Sequence, residues 1–297
     1  MSVKNRIGLI GSGLMGKPMG MNWLKKGYQL TVLPHKNLVN ITELQKAGAT
    51  VAQSPMELAS FTDLIILMLP TSREVEAAIE SLIKFLTPKH IVIDMSTSEP
   101  QSTREIFEKF KAKNLKFFDA PVTGGVKGAV EGSLTLFVGG PRELFLESKD
   151  VLNAVSKIQT HFGEAGQGHV AKIINNFVCI GNLAVFSEAL PLAMRMGLNP
   201  RDIFQTLTSG TAASRMLDLY GVQILNGDFA PRFKLSHAYK DLKLAEDLLK
   251  DIKAKLPVLE GVVEDFKKAM DQNLGDENVS AVIKTIEDQM SARFRSN

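Results

Sequence analysis

The hexapeptide Gly11-Ser12-Gly13-Leu14-Met15-Gly16 follows an apolar run, Arg6 to Ile10, and opens a segment of helical period from Leu14 to Lys26. Strand, glycine turn and helix in that order suit a dinucleotide. One glycine permits the tight turn, a second lets the backbone approach the pyrophosphate, and a third lets helix and strand pack while helix amides face the phosphates. Gly11, Gly13, Leu14, Met15 and Gly16 are therefore read as cofactor contacts. The second strand, Gln29 to Leu33, leads into Pro34-His35-Lys36, and no carboxylate appears before Glu43. A site for NAD places an acid here to accept from the ribose, whereas His35 and Lys36 are donors suited to a 2′-phosphate. NADP is the expected cofactor and NAD the alternative.

Leu67-Met68-Leu69-Pro70 and Asp94-Met95-Ser96-Thr97 both end predicted strands, and in open parallel sheets ligands sit outside the carboxyl ends of strands. Leu69, Pro70 and Thr97 are placed with the cofactor and Ser96 with the substrate. Another strand ends in Asp119-Ala120-Pro121-Val122-Thr123-Gly124-Gly125. There a hydroxyl and two bare residues offer donors to a substrate carboxylate, though the same residues also suit a turn that needs positive φ. In Gly166 to Phe177, Lys172 and Asn176 lie four apart on one helix face. From spacing alone Lys172 also suits a surface lysine with a buried stem, the commoner case. The functional reading is that hydride transfer to a carbonyl needs a proton donor, and an ammonium group, with an unperturbed pKa of about 10.4, is one at neutral pH. His169 is its rival, since an imidazole suits acid–base work. His35, His90, His161, His169 and His237 show no ligand spacing, and no metal site is expected.

Short apolar runs (Arg6 to Ile10, Gln29 to Leu33, Asp63 to Leu69, His90 to Met95, Lys116 to Val122, Leu134 to Val138, Ile158 to Phe162) alternate early on with helical segments such as Ser72 to Phe85 and Glu99 to Lys113. This is the pattern of βαβ units on a parallel sheet. From His169 to Met196 the apolar spacing becomes helical, and the rest shows helices and almost no strand signal. The expected architecture is an α/β Rossmann-type domain over 1–165 and an all-α domain over 166–297, joined by a long helix at about 168–196.

The 297 residues are 44% apolar and 23% charged, ordinary globular values that exclude a disordered chain. A net charge of +3, without a basic block, is too small for a nucleic-acid footprint. One cysteine, Cys179, excludes an internal disulfide and points to a reducing, cytoplasmic setting. No run reaches the ~18 uninterrupted apolar residues of a membrane span, so no membrane partner is expected.

Taken together the motifs resemble the β-hydroxyacid dehydrogenase family, which includes 3-hydroxyisobutyrate dehydrogenase, tartronate semialdehyde reductase and the glyoxylate/succinic semialdehyde reductases. The likeness covers nearly the whole chain, from Gly8 to Met19 through Asp94 to Thr97, Asp119 to Gly125, Gly168 to Asn176, Phe233 to Leu235, Lys240 to Leu242 and Gly275 to Val282. It implies Lys172 as general acid/base with Asn176 holding it, Thr123, Gly124 and Gly125 as the substrate-carboxylate site, and Thr97 and Lys240 as cofactor contacts. It further implies a small aldehyde or hydroxy acid as substrate and a homodimer or homotetramer. Two departures stand out: threonine at Thr123, where serine is usual, and Pro34-His35-Lys36, where NADP-using members usually carry Asn-Arg-Thr. Imine reductases share the architecture but generally lack the lysine, and a non-catalytic NADP-binding module is expected to have lost it.

Overall fold

A computed structural model of the chain describes residues 6–34, 38–250 and 252–295. The chain divides into two compact units, Met1–Lys172 and Ile173–Asn297. The first runs β1 (Arg6–Ile10), α1 (Gly16–Lys25), β2 (Gln29–Leu33), α2 (Leu38–Lys46), β3 (Thr50–Val51), α3 (Pro55–Phe61), β4 (Leu64–Leu67), α4 (Ser72–Leu82), β5 (Ile91–Asp94), α5 (Pro100–Ala112) and β6 (Lys116–Asp119). The six strands pair in parallel in the order β3-β2-β1-β4-β5-β6. Strand order reverses between β1 and β4, which is where such sheets bind ligands.

Burial on both faces explains the unbroken apolar strands. Ile7, Leu9, Leu64, Ile66, Ile91 and Ile93 face one layer with Trp23 and Leu44, while Ile65, Leu67 and Val92 face the other with Leu58, Ile79 and Phe110. That is the two-residue period of a pleat with helices on either side. Register puts Ile10, Leu67, Asp94 and Asp119 in one row at the carboxyl edge. The chain therefore leaves four adjacent strands side by side.

The run Lys116 to Val122 does not form the single strand its apolar character suggested. Pro121 has no N–H to donate, so the ladder stops after the bond from the Ala120 amide to the Asp94 carbonyl (2.7 Å). The chain then enters a second sheet: β7 (Val122–Thr123), α6 (Gly125–Glu131), β8 (Leu134–Val138), α7 (Arg142–Glu147), α8 (Lys149–Asn153) and β9 (Ser156–His161). There β7 is antiparallel and β9 parallel to the central β8.

The long helix α9 (Gln167–Arg195) starts in the last residues of the first unit and continues into the second. After it come α10 (Pro200–Ser209), α11 (Arg215–Leu225), α12 (Leu235–Asp247), α13 (Pro257–Asp271) and α14 (Ile283–Met290). Among the described residues of this unit there are no strands, only an isolated bridge between Lys234 and Asn278. Ile180, Leu183, Phe186 and Leu190 of α9 build its core with Leu217, Leu242 and Phe266. By length and composition α9 is also apolar enough to cross a membrane, with a mean hydropathy of 1.7 in a window that is 44% buried. Counting only uninterrupted runs missed this, because Asn175, Asn176, Asn182, Ser187 and Glu188 break the run without lowering its average far.

Candidate functional site

The glycine turn after β1 separates what the protein itself requires from what a ligand would. Gly11 has a φ of 104°, and a Cβ there would fall on the Met68 carbonyl beyond β4. A Cβ on Gly16 would fall on the Gly11 carbonyl. One on Gly13 would meet nothing within 4 Å. The first two glycines are demanded by packing, whereas Gly13 keeps bare a surface that the chain leaves open. No side chain caps α1 and no carboxylate stands in its first turn. The Lys17 and Met19 amides are taken by the Gly13 and Met15 carbonyls and Pro18 has none, so the positive end of the helix falls on the glycine turn itself. Asn40 braces the turn by donating to the Ser12 carbonyl (2.7 Å). Gly11, Gly13 and Gly16, at the positive end of α1, thus fit a dinucleotide diphosphate, with Leu14 exposed and Met15 packed on the core. His35 and Lys36 lie outside the described residues. Glu43, the first acid after β2, is ion-paired with Lys17 of α1.

Beside this turn, the Leu69 amide donates to the Ser96 hydroxyl (2.9 Å) and ties the loop after β4 to the loop after β5. Ser96 is 2% exposed, so its hydroxyl is a brace between these loops. Pro70 is exposed and Thr97 half-buried at the same edge. Two carboxylates end the neighbouring strands, Asp94 on β5 and Asp119 on β6, and both are buried. Burial pushes the Asp119 carboxyl above its ordinary range, opposed by His169 and by the amides of Gly166 and His169. His169 is completely buried, with both ring nitrogens directed at protein oxygens, which removes it as a proton donor to substrate. Lys172, three residues further along α9, is 8% exposed.

Thr123 is half-buried at the end of β7, and Gly124 and Gly125 are exposed. Both glycines have positive φ, 123° and 63°, and a Cβ on Gly125 would meet nothing. The turn thus has the positive φ foreseen as its plain explanation, and it also offers bare backbone beside a hydroxyl.

In the second unit, Asn176 on α9 and Lys240 on α12 converge on Asp241. The Asn176 amide donates to Asp241 Oδ2 (2.6 Å), and Lys240 Nζ stands 3.0 Å from Oδ1. Asp241 is 3% exposed, and nothing in its sequence neighbourhood but a helical period marks it as the partner of Asn176. Burial, and then the charge of Lys240, lower the His237 pKa from its ordinary value. No cluster of metal-ligating side chains exists among the described residues.

Comparison with known proteins gives the architecture a lineage. Residues 6–171 match the model for the NAD-binding domain of 6-phosphogluconate dehydrogenase, and 166–286 the model described as NAD-binding of NADP-dependent 3-hydroxyisobutyrate dehydrogenase. The chain is 32% identical over 286 residues to 2-(hydroxymethyl)glutarate dehydrogenase of Eubacterium barkeri, covering 95% of each protein. It is 31% identical over 255 residues to 2-hydroxy-3-oxopropionate reductase of Escherichia coli, covering 85% of this chain and 87% of that one. A crystal structure of 3-hydroxyisobutyrate dehydrogenase from Salmonella typhimurium superposes with a TM-score of 0.88 at 28% identity, over 94% of this chain and 99% of that one. The chain belongs to the β-hydroxyacid dehydrogenase family. It is a nicotinamide-dependent oxidoreductase acting on CH–OH groups.

Proposed function

We propose that the protein interconverts a small semialdehyde and its hydroxy acid, of the glyoxylate, tartronate semialdehyde, succinic semialdehyde or 3-hydroxyisobutyrate type, with NADP preferred. The observation that carries this reading is Lys172, a lysine held at 8% exposure in the opening turns of α9. Lysines are rarely so enclosed, and enclosed ionisable groups cluster at functional sites. When bound, the nicotinamide supplies hydride at its C4 position. Lys172 donates a proton to the carbonyl oxygen as negative charge gathers there, and takes it back in the oxidative direction. Asn176, one turn on, is held by Asp241 and orients that region of α9. The Thr123 hydroxyl and the bare backbone of Gly124 and Gly125 receive the substrate carboxylate. The ion pair of Glu43 with Lys17 supports the NADP preference, because it leaves the ribose end of β2 without an uncommitted acid.

Lys172→Ala is expected to lower kcat by roughly 10²–10⁴ while the chain stays folded, the range general acid–base catalysis supplies. A loss under about tenfold would mean that water delivers the proton.

The same reading includes a homodimer or homotetramer. α9 exposes Ile174 (53%), Val178 (56%), Val185 (66%) and Leu192 (50%) along one face, and Val178, Val185 and Leu192 stand seven apart. A helix with apolar residues in a heptad stripe on one side and a core stripe on the other needs a second partner, and its self-complementary spacing suits another copy of the same helix. A chain with a single cysteine suits a reducing compartment, and we place it in the cytoplasm.

A further inference from the structure

Four elements, β5, β6, α5 and the start of α9, meet at one buried imidazole. The His169 ring has Nδ1 2.8 Å from the Thr103 hydroxyl of α5 and Nε2 3.2 Å from the Ser96 carbonyl after β5. Asp94 Oδ2 lies 3.6 Å from Nε2, and Asp119 Oδ2 3.7 Å from Nδ1. His169, Asp94, Asp119 and Thr103 are each at most 1% exposed. Asp94 is held in turn by the Ser96 amide (2.9 Å) and the Ser98 hydroxyl (2.6 Å), and Ser96 by the Leu69 amide.

The same arrangement grips the start of α9. Asp119 accepts from the Gly166 amide (2.8 Å) and the His169 amide (3.0 Å), which are among the donors a helix start leaves unpaired. Gly168 is pressed so closely that a Cβ would stand 2.6 Å from Asp119 Oδ2. His169 is thus pinned twice, by its backbone to β6 and by its ring to α5 and the β5 loop. Lys172 follows three residues later, on nearly the same side of the helix. So much buried polarity must be desolvated, a cost that only well-made hydrogen bonds offset, and a network satisfied in this way holds its members in one arrangement.

We propose that His169 is a positioning residue for Lys172: its ring, set between Thr103 and Ser96 and flanked by Asp94 and Asp119, fixes the first turn of α9 and so the place of the lysine ammonium. This rests on Lys172 being the proton donor. His169 itself touches no substrate and moves no proton. A displacement of about 1 Å in a reacting group can cost on the order of a hundredfold in rate, so the pivot's effect should appear in turnover.

The test compares His169→Ala, His169→Gln and Thr103→Val with Lys172→Ala in the full chain. It measures kcat, the dissociation constant of the nicotinamide cofactor by fluorescence titration, and the isotope effect on kcat with cofactor deuterated at C4. His169→Ala is expected to lower kcat by about 10–100-fold and to raise the isotope effect, with cofactor affinity within about threefold of the parent. His169→Gln, whose amide can donate to Ser96 and accept from Thr103, should recover most of that loss. Thr103→Val, nearly isosteric, carries the test if His169→Ala does not fold, and should lower kcat by about 3–10-fold. Unchanged kcat in the folded variants would overturn the proposal, as would equal losses in His169→Ala and His169→Gln or a loss matched by falling folded fraction. If Lys172→Ala loses less than about tenfold, the donor assignment itself fails. If it loses far more while the His169 and Thr103 variants lose nothing, only the pivot fails.

Discussion

Gly11, Gly13 and Gly16 share one turn, yet only Gly13 has space beside it that its own chain does not fill. Substitutions should therefore part along that line. Gly13→Ala is expected to leave stability within about 0.5 kcal/mol of the parent and to weaken nicotinamide binding by at least about tenfold, measured by urea unfolding and fluorescence titration. Gly16→Ala must push against the Gly11 carbonyl and should lose stability too, by about 1–3 kcal/mol. An unaffected cofactor affinity in Gly13→Ala would remove the diphosphate from this turn. The turn was legible in sequence because its chemistry is local: three glycines, a strand before and a helix after. The cluster around His169 was not, because Ser96, Thr103 and Asp119 come from separate segments and only the sheet register brings Asp94 beside Asp119. His169 therefore read as a rival acid, whereas the fold buries it completely.

α9 carries both Lys172, the proposed proton donor, and the apolar face proposed for association. Its period was plain in the sequence and its bounds fell close to Gln167–Arg195. The face its apolar residues take was not plain, since a helix apolar all round hides which stripe is core. In an isolated subunit Val185 is merely an exposed valine, and Val185→Glu would change stability little. Against a second copy it places a carboxylate in an apolar seam. Light scattering at micromolar protein should then show the parent as an oligomer and Val185→Glu shifted toward monomer, whereas a monomeric parent would sink the association. Short elements were harder to foresee: α2, α3 and β3 lie between stronger patterns, and α11 follows a stretch of small residues from Ser209 to Ser214. The break at Pro121 shows the converse, an apolar run that a missing donor splits between two sheets.

At the scale of the molecule, charge sets how stability follows pH. The Glu188 carboxyl stands above its ordinary pKa, first through burial and then through Asp265, whose charge and hydrogen bond outweigh the nearby Lys268. Such a group binds more protons folded than unfolded between its unfolded and folded pKa values, so stability falls as pH climbs through that window and levels off above it. Glu188→Gln removes this residue's share of the fall, the buried Asp119 keeping its own. The variant's thermal midpoint should therefore gain on the parent at pH 7 but not near pH 4, and an equal gain at both would show that packing, not titration, is responsible.

Both ends of the proposed site show in what the protein reduces and with which nicotinamide. Initial rates with NADPH and NADH, taken over short aldehyde acids and matched aldehydes without the carboxylate, address both ends of the site at once. The predicted result is kcat/KM at least about tenfold higher for the acids and for NADPH, the discrimination expected when a built carboxylate or 2′-phosphate site is left unpaired. Equal kcat/KM for acids and controls would contradict the carboxylate site at Thr123, Gly124 and Gly125, and a preference for NADH would contradict the reading of the ribose end of β2.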